Sequence, residues 1–491
     1  MMMPLIRNAM FLVIGLVLVH AANAKTITEK DIHEYMQDPI FVDLWFGIYD
    51  QRNEKYGWWN ANEYREGQYW VFEEKTEIKL LDRVAVGKKT YDDQTVIRTH
   101  KKEYYDIGNG FLLRRVVSRF EHGEEIQILT ADISDGRAQV EVDNDGQTFS
   151  YAVDGFSLSL DEVYQVELLL RKFSDWAVGD TIGYKYYDLD TFEISQETDI
   201  VRGVEETIRD GVHLKYYQVE TLQSDARYTF KTTLAEDGTP LKYSEVKGHT
   251  DLEEEHQAKS NVVFGGLTFE DSVVKVDQSL PDVKTISTLT LEIVGPYEDG
   301  IHTGYQQKVV TKNGKTILVL GDKIGSREPA VAKDAAKYLR QSSLYPVEDP
   351  AIQKMTRDLV AGVADDRKKV RILLDHVDRY IVDDYTSNSM SVFEVLEKRK
   401  GDCSEHTLLF NTLARAAGIP SREVRGLINY DDRKFGLHAW NEVLIDGEWY
   451  SVDATWGYMS TPITHIRFEG NNYIPPSFEF RIVDIERTVS R

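Results

Sequence analysis

Residues 401–420 read GDCSEHTLLFNTLARAAGIP and hold the chain's single cysteine, Cys403. Asp402 is a strong N-cap type, and Glu405 follows three residues later. That is the capping-box spacing, with Asp in the Ser/Thr role. Leu408, Leu409, Phe410, Leu413, Ala414 and Ala417 then recur at helical spacing, Gly418 supplies the stop and Pro420 follows. The reading predicts a helix with Cys403 in its first turn. Free N–H groups and the positive end of the helix dipole favour a thiolate there, so the position suits a reactive cysteine better than an incidental one.

A thiolate nucleophile usually works with a histidine, and the histidine with a third group that orients it. Leu444-Ile445-Asp446-Gly447-Glu448-Trp449 carries the Asp-Gly signal of a two-residue hairpin turn. Such a turn sets Ile445 opposite Glu448, Trp440 opposite Asp453 and His438 opposite Thr455. Side chains alternate along a strand, so His438, Trp440, Asp453 and Thr455 share a face. His438 and Asp453 become diagonal neighbours, about 7–8 Å apart at the backbone. One imidazole nitrogen can then meet the carboxylate while the other points at Cys403 across the helix–sheet interface. His406 is the rival base, three residues after Cys403. No carboxylate is placed to orient it, and packing or hydrogen bonding behind the site is the role expected.

Three blocks together resemble the transglutaminase-like superfamily, notably its exported bacterial members. They are Gly401 to His406 with the helix through Arg422, then His438-Ala439-Trp440-Asn441-Glu442-Val443, then Trp449-Tyr450-Ser451-Val452-Asp453-Ala454-Thr455. They occur in the family's order of Cys, His, Asp, and the resemblance spans roughly residues 327–470. It implies a papain-like α+β core with the cysteine helix packed on an antiparallel sheet. It also implies a catalytic trio of Cys403 as nucleophile, His438 as base and acid, and Asp453 as orienter. The oxyanion hole implied is the cysteine backbone N–H plus an upstream side chain, for which Tyr385 and Asn388 are candidates.

Outward from this site, period-3.6 patterning predicts helices over Val331 to Arg340, Asp349 to Ala361 and Asp366 to Val382, the second with Pro350 just after the N-cap type Asp349. Residues 282–326 read as a β-rich bridge with an Asn313-Gly314 turn. Residues 25–281 read as one large antiparallel sheet, strongly curved around an amphipathic helix at Asp161 to Phe173. Glu141, Asp143, Asp145 and Gly146 mimic the start of a calcium loop, but Ala152 stands where a bidentate Glu is needed, so a hairpin turn is expected. The fold class expected is α+β multidomain: a curved antiparallel β domain with a helix, a β-rich bridge, and a transglutaminase-like domain at 327–491.

Residues 1–24 carry Arg7, an apolar run from Ala9 to Val19 and small residues at Ala22-Asn23-Ala24. That is the pattern of a signal peptide, and the run is too short for a membrane span of about 20 residues. The expectation is export to the periplasm or the extracellular space, without stable membrane insertion. The net charge of −24 repels phosphate backbones and excludes nucleic acid as a natural partner. A lone cysteine in an oxidising compartment has no partner for a disulfide, which agrees with a reactive role. Nothing in the sequence asks for a cofactor or a metal, and no oligomeric state is set.

The function expected is acyl transfer at amide bonds of peptides, proteins or cell-wall peptides through a thioester. Water as acceptor makes a peptidase or amidase; a lysine amine makes a crosslinking enzyme. The rival expectation is a binding or scaffold protein, in which the β domain holds a ligand or partner and the C-terminal domain is structural.

Overall fold

A computed structural model describes residues 26–487 apart from 87–88, 174, 210, 223–228, 246–247, 266–272, 296–299, 330–331, 385–390 and 470–477. The proposed leader, and the oxyanion-hole candidates Tyr385 and Asn388, lie outside the described residues. Contacts divide the described residues into two compact units, 26–81 with 94–265, and 82–93 with 273–487.

The first unit is built on one 14-stranded antiparallel sheet. Its strands run as two meanders. The first eight, from Leu44–Asp50 to Gln147–Asp154, pair in sequence order, as do the last six, from Thr181–Tyr187 to Gly248–Glu253. The strands Leu44–Asp50 and Gly248–Glu253 join the meanders edge to edge, with Trp45 opposite Glu253 and Asp50 opposite Gly248. Alternation decides the buried face: Ala138, Val140 and Val142 are inside while Arg137, Gln139 and Glu141 point outward. The helix Gln165–Lys172 connects the two outermost strands in sequence and serves both halves. Leu168 packs into the core of the first meander, while Val166, Leu169 and Leu170 pack with Val201, Tyr217 and Leu234 of the second. The calcium-like run is a hairpin turn, with Asp145 and Gly146 both at positive φ.

The second unit has two larger sheets, a two-stranded parallel one pairing Val382–Asp383 with Lys400–Gly401, and a set of helices. One sheet orders the strands Gln307–Lys312, Lys315–Gly321, Ile286–Val294 and Glu479–Arg487, so the chain's last strand pairs with the β-rich stretch before residue 326. The other centres on Ser421–Asp431 and Lys434–Ile445, flanked by Val274–Lys275, Glu448–Val452 and Ile466–Arg467. The helices Pro350–Val360, Asp366–Tyr380, Val392–Lys398 and Cys403–Ala416 pack around the last of them. Leu409, Phe410, Leu413 and Ala414 are fully buried against Val370, Leu374, Val443 and Val452. Each large apolar side chain so buried contributes about 1.5–3 kcal/mol, which fixes the cysteine helix in depth and rotation.

Candidate active site

The cysteine helix begins as the sequence requires. Asp402 is extended and accepts from Ser404 N–H at 2.7 Å, while Glu405 reaches back to Asp402 N–H at 2.8 Å. Gly401 makes room for that return: a Cβ there would sit 2.3 Å from the Cβ of Glu405. Cys403 thus occupies the first helical position and is buried. His406 is also buried, with Nδ1 2.7 Å from the Asp402 carbonyl.

The hairpin has a two-residue turn. Asp446 and Gly447 both take positive φ, 54° and 81°, and the pairs run from Ile445 opposite Glu448 to Asn441 opposite Val452. The ladder stops there, because Asp453 bridges instead to Tyr458. His438 and Asp453 nevertheless meet: His438 Nε2 lies 2.9 Å from Asp453 Oδ2, both side chains almost wholly excluded from solvent.

One expectation is corrected. Val443 and Ile445 pack with the cysteine helix, and the Asn441 amide donates to the Thr407 carbonyl at 3.1 Å. By alternation the helix lies on the face opposite to His438, Trp440 and Glu442. The imidazole therefore lies on the sheet face away from the body of the helix, whose first turn carries Cys403. The strand acts on the cysteine through its backbone: Ala439 N–H, two residues beyond the end of the ladder, favours the ionised sulfur. Parity fixed the face that His438 shares with Trp440 but not the side on which the helix packs.

Electrostatics correct a second expectation. Burial pushes the Cys403 thiol well above its ordinary range, and the Asp402 and Glu405 carboxylates add to this; Ala439 N–H and Arg425 only partly oppose them. Desolvation thus works against the thiolate that the helix terminus favours. Asp453 goes the other way. Burial alone would raise its pKa, but His438 and His465 hold the carboxyl well below the usual carboxylate range. An ionised Asp453 only accepts, so Nε2 of His438 donates to it.

Two neighbours of His438 escaped the sequence reading. Trp456, 41% exposed, stacks on the imidazole at 4.8 Å and 19°. His465, buried, places Nε2 3.0 Å from the same Asp453 Oδ2. It enters on the short strand Ile466–Arg467, twelve residues beyond Asp453, and no local pattern marks it. The ligand atoms of His438, Asp453 and His465 lie within 4.8 Å of one another, close enough to hold a metal ion. The two hydrogen bonds account for that closeness.

Charge holds the surrounding strands in place. Glu442 accepts from Arg422 Nε at 2.8 Å and Arg467 Nη1 at 2.9 Å, and Glu328 accepts from Arg422 at 2.7 Å. Gly426, opposite His438, is where the strand Ile466–Arg467 comes closest: a Cβ there would lie 1.9 Å from the Ile466 carbonyl oxygen and 2.9 Å from Trp440.

A family model described as the transglutaminase-like superfamily matches residues 353–454. That segment is a transglutaminase-like domain. It takes in Cys403, His438 and Asp453 and stops short of His465. The chain is 28% identical to kyphoscoliosis peptidase of Mus musculus over 119 residues, 22% of this chain and 18% of that protein. The Homo sapiens counterpart is 25% identical over the same length. The match thus spans less than a fifth of the curated relatives' length. Among solved structures, the periplasmic domain of TgpA from Pseudomonas aeruginosa gives a TM-score of 0.27 at 16% identity, covering 38% of this chain and 89% of that one. A β-barrel-like protein from Brucella abortus gives 0.30 at 13%, covering 44% and 97%. Scores this low carry no argument. No helix among the described residues is long and apolar enough to cross a membrane.

Proposed function

We propose that the chain is an exported cysteine enzyme that transfers acyl groups from amide bonds of peptides or proteins. Cys403 is the nucleophile, His438 the base and acid, and Asp453 the orienter. The observation that carries the reading is the buried His438–Asp453 bond, on the strand whose next residue, Ala439, favours the ionised Cys403 sulfur through its N–H.

Cys403 sulfur attacks the amide carbonyl carbon as its proton passes to Nδ1 of His438. The Cys403 backbone N–H, in the first turn of its helix, is free to face the developing oxyanion. Asp453 stabilises the imidazolium that forms. That proton then goes to the leaving nitrogen, the C–N bond breaks and a thioester remains. Water attacks the thioester with His438 again as base, releasing the acid and restoring the thiol. An amine in place of water makes a new amide through the same groups. The peptidase name of the mammalian relatives favours water. A thiol pushed up by burial suits this order of events, because the thiolate is made only when His438 accepts the proton.

The single cysteine makes the test clean. Alkylation by iodoacetamide is followed from roughly pH 4 to 9 in the mature protein and in His438→Ala. An activated pair predicts that the variant loses at least about tenfold of the rate near pH 7. A thiol that titrates as an isolated buried group, unchanged by the substitution, favours the structural reading of the domain. Screening with peptide amides, with and without an added amine, then separates hydrolysis from transfer.

A further inference from the structure

Asp453 is shared. Its Oδ2 accepts from Nε2 of His438 at 2.9 Å and from Nε2 of His465 at 3.0 Å, and its Oδ1 accepts from Thr455 N–H at 2.9 Å. Among the described residues Asp453 is the only side chain that His465 hydrogen-bonds. A buried imidazole with Nε2 aimed at the orienting carboxylate is more than core filling: an apolar residue would pack there without desolvating a ring nitrogen.

We propose that His465 is a positioning residue for the acyl-transfer site. Its Nε2–H pins the oxygen of Asp453 that orients His438, and keeps that carboxylate ionised and in one place. The inference rests on the role given above to Cys403, His438 and Asp453.

Three further observations support it. The His465 ring stands edge-on to both His438 (79°, 5.8 Å between centroids) and Trp440 (86°, 5.2 Å), so it cannot swing without displacing the base. Burial lowers its pKa, with Asp453 opposing, which keeps it a neutral N–H donor rather than a second cation beside His438. Its backbone is fixed by the next two residues, which pair with Gly426 and Leu427, and by the Arg467–Glu442 ion pair. The charged groups on its other side are those lining a small cleft shared with Trp440: His302, Arg327, Glu328, Glu442 and Arg467. Glu328 and Glu442 there are already paired with Arg422 and Arg467, so Asp453 is the carboxylate left for His465.

The test uses the full mature chain and the alkylation rate of Cys403 as a function of pH. His465→Leu removes the donor; His465→Gln keeps an N–H at similar reach. Without the donor, more of the Asp453 charge falls on His438 and favours an imidazolium, which cannot accept the Cys403 proton. The Leu variant should therefore lose about tenfold or more near pH 7, and the acid limb of its profile should move up by about one pH unit. The Gln variant should stay within about threefold of the parent with an unmoved limb. If the Leu variant does not fold, as judged by circular dichroism, His465→Asn replaces it: its shorter amide falls short of Asp453, so Asn should lose what Gln keeps. A folded Leu variant with the parent's rate and limb overturns the inference, and so does equal behaviour of Gln and Asn. These results differ from failure of the underlying reading, in which His438→Ala leaves the parent's rate unchanged.

Discussion

Replacing Asp453 with Asn keeps the shape of the side chain and removes its charge. The carboxylate accepts from three N–H groups within 3.0 Å and is fully buried. An amide has one acceptor oxygen, so its NH2 must face at least one donor. The better orientation gives the oxygen to both imidazoles and turns the NH2 toward Thr455 N–H. That leaves a buried donor unpaired, costing about 1–3 kcal/mol. The two imidazole bonds also lose their charge assistance, about 1 kcal/mol each. The expected destabilisation is about 3–5 kcal/mol, which for a unit of this size lowers its transition by roughly 10 °C. Differential scanning calorimetry of the full chain at pH 7 measures it. Acidification adds a second check. The folded-state pKa of Asp453 is depressed, so its stabilisation is complete above the unfolded value of about 3.9 and drains as pH falls toward the folded value. The gap between parent and variant should be flat above about pH 5 and narrow by about 1.4 kcal/mol per pH unit below about 4. A transition unmoved at pH 7, or a gap that widens in acid, would refute the account of Asp453 as an ionised triple acceptor.

The cap and two glycines give further predictions. Asp402→Asn keeps the cap but removes the carboxylate that pushes the Cys403 thiol up, so alkylation near pH 7 should rise severalfold with little change in melting. Asp402→Ala should instead cost about 1 kcal/mol in urea denaturation. Gly426→Ala drives a methyl into the Ile466 carbonyl and should cost about 2–4 kcal/mol while slowing alkylation, because His465 and Trp440 are displaced with that strand. Gly447→Ala, at a φ of 81° in the turn, should cost about 1–2 kcal/mol on melting and leave the alkylation rate at 25 °C unchanged.

What could be read in the sequence was local. The capping box at Asp402–Glu405, the Asp-Gly turn and the alternation from His438 to Trp440 each need only a few neighbouring residues, and each is present. The helix, expected at 161–173 and found at 165–172, and the large antiparallel sheet likewise follow from periodicity and turn residues, whereas its division into two meanders does not. What could not be read depends on distant chain segments. His465 and the strand that carries it are placed by the Glu442–Arg467 pair and by the absence of a side chain at Gly426. The face on which the cysteine helix packs is decided by Val443 and Ile445 meeting Leu409 and Phe410, a choice between two apolar faces that alternation alone leaves open. The state of the thiol follows from burial, which no capping motif reports.

The end of the ladder at Asn441 and Val452 has a consequence for engineering. Asp453 bridges to Tyr458 instead of carrying the ladder on toward Ala439, the residue whose N–H favours the ionised Cys403 sulfur. On the function proposed above, the site is in this sense made by truncation. A design that lets the 448–452 strand run two residues further would silence the nucleophile with every member of the trio still present. A graft of the site onto another scaffold must therefore copy where its strands stop as faithfully as the side chains they carry.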